Sequence, residues 1–153
     1  MLADDDVTFL HRLADAADAV SRQHFRSEAL RTTTKVDGTP VSEVDRAVEE
    51  AMLALVRAKG TDAVLGEEVG EQPGSSNRQW IFDGIDGTHN YADGRPGWGT
   101  IIALDVDGDW HLAAWSRFTH DPPAPSPSPT VQHGSSSRKS FSTFQRRRHP
   151  RRE

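Results

Sequence analysis

Two aspartates, Asp83 and Asp86, stand three residues apart just after a short apolar run, Trp80 to Phe82. The apolar run is typical of a short buried strand, and Gly84 and Gly87 indicate a tight turn after it. Glycine lets the backbone fold closely enough for carbonyl oxygens to face the same point as the two carboxylates. Oxygen ligands of this kind suit a hard divalent cation such as Mg²⁺.

A second acidic pair, Glu67 and Glu68, follows another apolar run, Ala63 to Leu65. Acidic residues beside glycine often do no more than end a turn, and for a single Asp-Gly pair that would be the better interpretation. Two predicted strands that each end in paired acids favour a divalent-cation site instead.

These two segments, residues 66–68 and 83–88, resemble the metal-binding signature of the inositol monophosphatase family. The resemblance covers about Asp6 to Trp115. It implies a Mg²⁺-dependent, lithium-sensitive phosphomonoesterase and the N-terminal portion of a layered α/β fold, an αβαβα sandwich. Gly84 stands where the family usually has proline, a departure at a position that contributes no side-chain ligand.

The resemblance implies roles for five residues of the central segments. Glu67, Asp83, the carbonyl of Ile85 and Asp86 would bind metal, with two or three Mg²⁺ ions in the intact family site. Glu67 and Thr88 would be catalytic, because they would activate and orient the attacking water. Asp86 and Thr88 would also bind the substrate phosphate.

Further residues would support this site. Gly87 would bind the phosphate together with Thr88, through backbone N–H groups at the start of a helix. Lys35 and Asp37 match a mobile loop of the family that helps to hold a further metal ion, although the same residues also suit a plain connector. Asp45 and Glu68 would lie beside the metal ligands and hold hydrogen bonds around them.

Two helices precede these segments. Apolar residues recur at helical spacing from Asp6 to about Phe25, and again from Ser42 until Gly60 ends the pattern. Asp45 therefore also suits a capping role, three residues after Ser42. Between the helices, Thr32 to Pro40 is typical of a hairpin or loop.

The remaining pattern predicts strands. Asp107-Gly108 between two apolar runs is a strong hairpin signal. The predicted strands and loop, in chain order, are strands at 62–65 and 79–82, an exposed loop at 72–77 between them, and strands at 98–104 and 110–115.

The 153 residues include no cysteine and no apolar run as long as a membrane span. The N-terminal stretch is acidic, with aspartate at Asp4 to Asp6. These features favour a cytoplasmic protein that does not bind membranes. The net charge of −5 is unevenly distributed. From Arg117 onward, eight basic residues face two acidic ones, so the rest of the chain is strongly acidic. An acidic globular part disfavours binding to nucleic acid.

The segment 117–153 is rich in proline, serine and arginine, and it predicts a disordered tail after a domain at 1–116. Family members continue for more than a hundred residues and include a Trp-Asp motif whose aspartate completes the second metal site. The sequence after about Trp115 lacks that motif and resembles the product of truncation or a frameshift. We therefore expect impaired activity.

The segments 67–70 and 96–104 resemble the histidinol-phosphatase branch of the family. The resemblance implies a small phosphorylated metabolite as substrate, histidine biosynthesis as the context and a homodimer in the intact family. Inositol-1-monophosphatase is the alternative function. A non-catalytic remnant is the second alternative, and Mg²⁺-dependent turnover would exclude it.

Overall fold

The computed structural model describes residues 4–27, 43–118 and 130–137. A mixed six-stranded sheet has the order β2-β1-β3-β4-β5-β6, in which β1 and β3 are parallel and all other neighbours antiparallel. The α/β fold class is thus confirmed. The elements are α1 (Asp4–His24), α2 (Glu43–Lys59), β1 (Ala63–Gly66), β2 (Gly70–Gln72), β3 (Arg78–Asp86), α3 (Thr88–Ala92), β4 (Trp98–Val106), β5 (Asp109–Phe118) and β6 (Thr130–Ser137).

The two long helices carry the apolar stripes that the sequence predicts. One core cluster joins their buried faces to side chains from β1, β3, α3 and β4. In α1 the stripe includes Leu10, Leu13 and Ala17, all fully buried. In α2 the buried residues are Val44, Asp45, Val48, Glu49, Met52 and Val56. Two acids therefore lie within the buried face of α2, which its apolar periodicity did not predict. No helix among the described residues has the length and apolar character needed to cross a bilayer.

Strand β3 is longer than predicted. We expected the strand to end at Phe82, but β3 continues to Asp86 beside β4. The register shifts between Asp83 and Asp86, which pair with Ile101 and Gly99. A bulge of this kind inserts one extra residue and lets the strand stay paired where the sequence indicated a turn. Strand β2, three residues long, was also not predicted.

The hairpin between β4 and β5 is confirmed. Asp107 and Gly108 both adopt positive φ angles, 57° and 90°. Such angles match a two-residue hairpin turn, and Asp-Gly is a preferred pair for it. The N–H of Gly108 also donates to the Asp105 side chain at 2.8 Å.

Strand β6 lies within the segment for which the sequence predicted no regular structure. Its backbone pairs antiparallel with β5, from Trp115 opposite Thr130 to Asp109 opposite Ser137. The physical reason is that the edge of a sheet presents backbone donors and acceptors, and pairing with it requires no apolar pattern. The prediction of disorder differs from the structure at these eight residues, and the proline-rich run at 122–129 lies outside the described residues.

An ion-pair network joins the start of α1 to the sheet. Arg78, at the start of β3, contacts Asp6 of α1 and Asp62 just before β1. Asp62 also accepts hydrogen bonds from Trp80 Nε1 and Ser76 Oγ, at 3.0 and 2.8 Å. The Arg78 side chain is only 26% exposed, so this network is largely shielded from water.

Replacing Arg78 with alanine should lower the free energy of unfolding by about 1–3 kcal/mol, because two largely buried carboxylates lose a charged donor. The Arg95→Ala variant is the control, since Arg95 is 70% exposed and its ion pair is with an exposed Asp93 side chain. Its effect should stay below about 1 kcal/mol. Urea unfolding of both variants checks the difference, and equal midpoints would contradict it.

Candidate active site

The bulge in β3 brings Asp83 and Asp86 to one face of the sheet. Residues three apart in a regular strand point to opposite faces. Here Asp83 and Asp86 pair with Ile101 and Gly99, which are two residues apart on β4 and therefore share a face. Both aspartates are half-buried. The predicted pairing of these two carboxylates thus has a structural basis that the sequence pattern did not reveal.

Backbone groups around the bulge are fixed by hydrogen bonds. The carbonyl of Ile85 accepts from Thr88 Oγ1 at 3.0 Å, and the N–H of Ile85 donates to Asp45 Oδ1 at 3.0 Å. Thr100 Oγ1 donates to the carbonyl of Gly84 at 2.8 Å. The peptide groups between the two aspartates are therefore held from both sides.

Gly87 separates β3 from α3 and has a φ of 83°, in the left-handed region. A Cβ at this position would lie 2.7 Å from the carbonyl oxygen of Gly97, so the turn requires glycine. The helix predicted to start near Thr88 is present, but α3 has only five residues. So short a helix adds little dipole, and phosphate binding at Gly87 and Thr88 would depend on individual N–H groups.

Glu67 and Glu68 lie in the turn between β1 and β2. Since β1 is the parallel neighbour of β3, with Gly66 paired to Phe82, both acidic segments lie at the carboxyl ends of these strands, at the same edge of the sheet. The Glu67 side chain is exposed and that of Glu68 is half-buried. The sheet therefore places the two predicted acidic segments side by side.

Asp45 lies under this edge, on the buried face of α2, and is 5% exposed. Burial, followed by the negative charges of Asp83, Glu49, Glu68 and Glu67, raises the pKa of Asp45 to about 8. Four other carboxylates therefore lie close enough to Asp45 to disfavour its ionised form. A divalent cation would neutralise such a charge concentration, so the oxygen-rich donor set fits Mg²⁺.

Glu49 is a residue of this region that the sequence analysis missed. It lies four residues after Asp45, on the same face of α2, and its side chain is fully buried. The one available signal was an acid at helical spacing within an apolar stripe. Such an acid needs buried hydrogen-bond donors, and here they are backbone N–H groups of the two acidic segments.

Some predicted site residues are not brought together. Lys35 and Asp37 lie outside the described residues. Among the side chains that are described, no group of three or more histidine, aspartate or glutamate residues converges tightly enough to form a complete metal site. Glu67, in the β1–β2 turn, lies near Asp83 and Asp86 of β3 at one end of the sheet, but the three do not close around one point.

The fold and site together define an α/β protein with carboxylates gathered at one edge of a mixed sheet. The chain belongs to the inositol monophosphatase family, whose sequence profile matches residues 3–121. Members of that family are phosphatases. The resemblance found in the sequence is thereby confirmed.

Three similar proteins illustrate the range of the family. A histidinol-phosphatase of Streptomyces coelicolor is 50% identical over 101 residues, which cover 65% of this chain and 38% of that protein. A Streptomyces griseus protein named glucose-1-phosphate thymidylyltransferase is 48% identical over 118 residues, covering 76% and 45% of the two chains. The structure of an inositol monophosphatase from Zymomonas mobilis matches with a TM-score of 0.60 and 37% identity, over 74% of this chain and 44% of that one. The chain thus spans about two fifths of the length of the curated relatives it matches.

Proposed function

We propose that this chain carries the main cation-binding part of a Mg²⁺-dependent phosphomonoesterase that acts on histidinol phosphate. The observation that carries the proposal is the placement of Asp83, Asp86 and Glu67 at one edge of the sheet, around a bulge. The raised pKa of Asp45 supports the proposal. Burial is the largest cause of that shift, the negative charges of nearby carboxylates add to it, and a cation would offset those charges.

In this proposal Glu67, Asp83, Asp86 and the carbonyl of Ile85 hold the metal. A bound divalent cation neutralises phosphate charge and lowers the pKa of a water molecule. The carbonyl of Ile85 can serve both as ligand and as acceptor for Thr88, because a carbonyl oxygen has two lone pairs.

Thr88 is suited to orient the attacking water. Its hydroxyl proton is directed to the carbonyl of Ile85, so the lone pairs of Oγ1 remain available to accept a hydrogen bond from water. Glu67, exposed at the same edge, would take the proton of that water. The N–H groups of Gly87 and Thr88 and the Asp86 side chain would then contact the phosphate.

The choice of histidinol phosphate rests on similarity. The Streptomyces coelicolor relative is named for that substrate and is 50% identical over the matched part. Inositol 1-phosphate is the second candidate, favoured by the fold match to the Zymomonas mobilis enzyme. Since the chain spans less than half of each relative, the activity of the whole protein is part of the proposal.

Phosphate release from the two substrates, with and without Mg²⁺, tests the proposal. We expect release only with Mg²⁺ and faster turnover of histidinol phosphate. Faster turnover of inositol 1-phosphate would replace the substrate assignment. Mg²⁺ binding without turnover would favour the non-catalytic alternative. Thymidylyl transfer to glucose 1-phosphate would overturn the proposal that the protein is a phosphatase.

A further inference from the structure

Glu49 is a carboxylic acid that the proposed chemistry does not use, and it lies in the middle of the apolar stripe of α2. Its side chain is 0% exposed, as are those of Val48 and Met52 beside it on the helix. Burying a carboxylate is costly unless hydrogen bonds compensate for the lost water. The partners of Glu49 therefore indicate what the chain gains by keeping an acid there.

The Glu49 carboxylate accepts four backbone hydrogen bonds from two separate segments. Oε2 accepts from the N–H groups of Glu68 and Val69, each at 2.9 Å. Oε1 accepts from the N–H of Glu67 at 3.0 Å and from that of Gly84 at 3.3 Å. Three consecutive amides thus enclose the anion as a backbone nest, and Oε1 alone links the β1–β2 turn to the bulge of β3.

Two glycines allow α2 to approach this closely. A Cβ on Gly66 would lie 2.3 Å from Glu49 Oε2, and a Cβ on Gly84 would lie 2.6 Å from Asp45 Oδ1 and 3.1 Å from Glu49 Cγ. Real Cβ atoms essentially never come within 3.0 Å of another heavy atom in this way. The close packing of α2 under both acidic segments therefore requires glycine at positions 66 and 84.

We propose that Glu49 is a positioning residue, which sets the spacing between the β1–β2 turn and the β3 bulge so that Glu67 and Asp83 reach the same cation. This inference rests on the cation site proposed above. A carboxylate suits the task because all four partners are donors, and the ionised form accepts best from all of them. Burial raises the pKa of Glu49, and the four backbone hydrogen bonds act against that rise. If Glu49 instead only stabilised the fold, its replacement would lower stability without a specific effect on cation affinity.

The Glu49→Gln variant tests the proposal with almost no change in shape. The amide keeps one oxygen, but its NH₂ group faces two backbone donors where an oxygen accepted before. We expect Mg²⁺ to bind about 10- to 100-fold more weakly, as is typical when a residue supporting metal ligands is replaced. Calorimetry with Mg²⁺ alone measures this, and an unchanged Kd would overturn the proposal.

A matched control separates positioning from stability. Val56 lies on the same buried face of α2, near its far end, and is 1% exposed. The Val56→Ala variant should lower the unfolding midpoint but leave the Kd for Mg²⁺ unchanged. Equal weakening in both variants would assign the effect to general loss of stability and refute a positioning role.

Hydrogen exchange in the metal-free chain gives a readout that does not depend on cation binding. The amides of Glu67, Glu68 and Val69 should be protected in the wild-type chain and exchange faster in Glu49→Gln, but not in Val56→Ala. Rapid exchange of all three in the wild-type chain would overturn the nest. If the wild-type chain binds no Mg²⁺, the proposed function fails. The exchange rates of these three amides would still show whether Glu49 holds the β1–β2 turn in place.

A second variant reaches the same carboxylate from the opposite side if Glu49→Gln does not fold. In Gly66→Ala the new methyl group would displace Glu49 Oε2 or Val69, whose Cγ2 would lie at 2.5 Å. We expect weaker Mg²⁺ binding and faster exchange of the Val69 amide. Wild-type affinity and exchange in Gly66→Ala would contradict the proposal.

Discussion

In the Asp83→Asn variant, the affinity for Mg²⁺ and any phosphatase activity are expected to fall by more than about 100-fold. Replacing a residue that only supports metal ligands already lowers metal affinity or activity by about 10- to 100-fold. Asp83 directly follows Phe82, the β3 residue that pairs with Gly66, and it is therefore a neighbour of Glu67 in the proposed site. A neutral amide keeps the shape of the side chain but removes the charge that a hard cation needs.

The matched control for this prediction is Asp93→Asn, the same chemical change at a side chain that is 56% exposed and forms an ion pair with Arg95. Circular dichroism should be alike for both variants and the wild-type chain. Calorimetry then compares Mg²⁺ affinity. If Asp83→Asn binds Mg²⁺ as tightly as Asp93→Asn does, Asp83 is not a metal ligand.

The two acidic segments could be predicted to favour a divalent-cation site because each follows an apolar run that is typical of a strand. Their juxtaposition comes from the parallel pairing of β1 with β3, which places Glu67 beside Asp83. The shared face of Asp83 and Asp86 could not be predicted, because it requires a bulge whose register is set by the pairing of β3 with β4. Neither sequence segment encodes that register by itself.

Gly84 and Glu49 illustrate a second limit of the sequence. The glycine was interpreted as a mild departure from proline because its position contributes no side-chain ligand. In the structure its N–H donates to Glu49, and a side chain there would contact Asp45. Both facts concern packing between segments 35 residues apart, so periodicity within either segment carried no sign of them.

Strand β6 shows a third limit. A segment poor in apolar periodicity predicted no strand, whereas the pairing with β5 is made by backbone groups. Backbone donors and acceptors are common to every residue except proline, so an open sheet edge can recruit such a segment. Composition therefore predicts which segments can form a core better than it predicts which can form an edge strand.

The stability of the metal-free chain should fall as the pH rises from about 5 to 7, and Asp45 should account for much of the decline. Burial and nearby carboxylates raise the pKa of Asp45 from 3.8 to about 8. Between these values the folded chain keeps a proton that the unfolded chain has released. Each added pH unit should then lower the free energy of unfolding by about 1.4 kcal/mol.

The Asp45→Asn variant has no proton to lose at this position, and its amide oxygen can still accept from the N–H of Ile85. Its free energy of unfolding should therefore fall less steeply over the same range, so that its advantage over the wild-type chain grows until about pH 8. Urea unfolding at half-unit pH steps measures this, with Asp15→Asn, an exposed position on α1, as the control.

Saturating Mg²⁺ should make the wild-type slope shallower without abolishing it, because a cation offsets the charges of Asp83 and Glu67 but not the burial of Asp45. Parallel curves for Asp45→Asn and the wild-type chain would mean that burial and the nearby carboxylates do not raise the pKa of Asp45, and the proposed cation site would then lose this support.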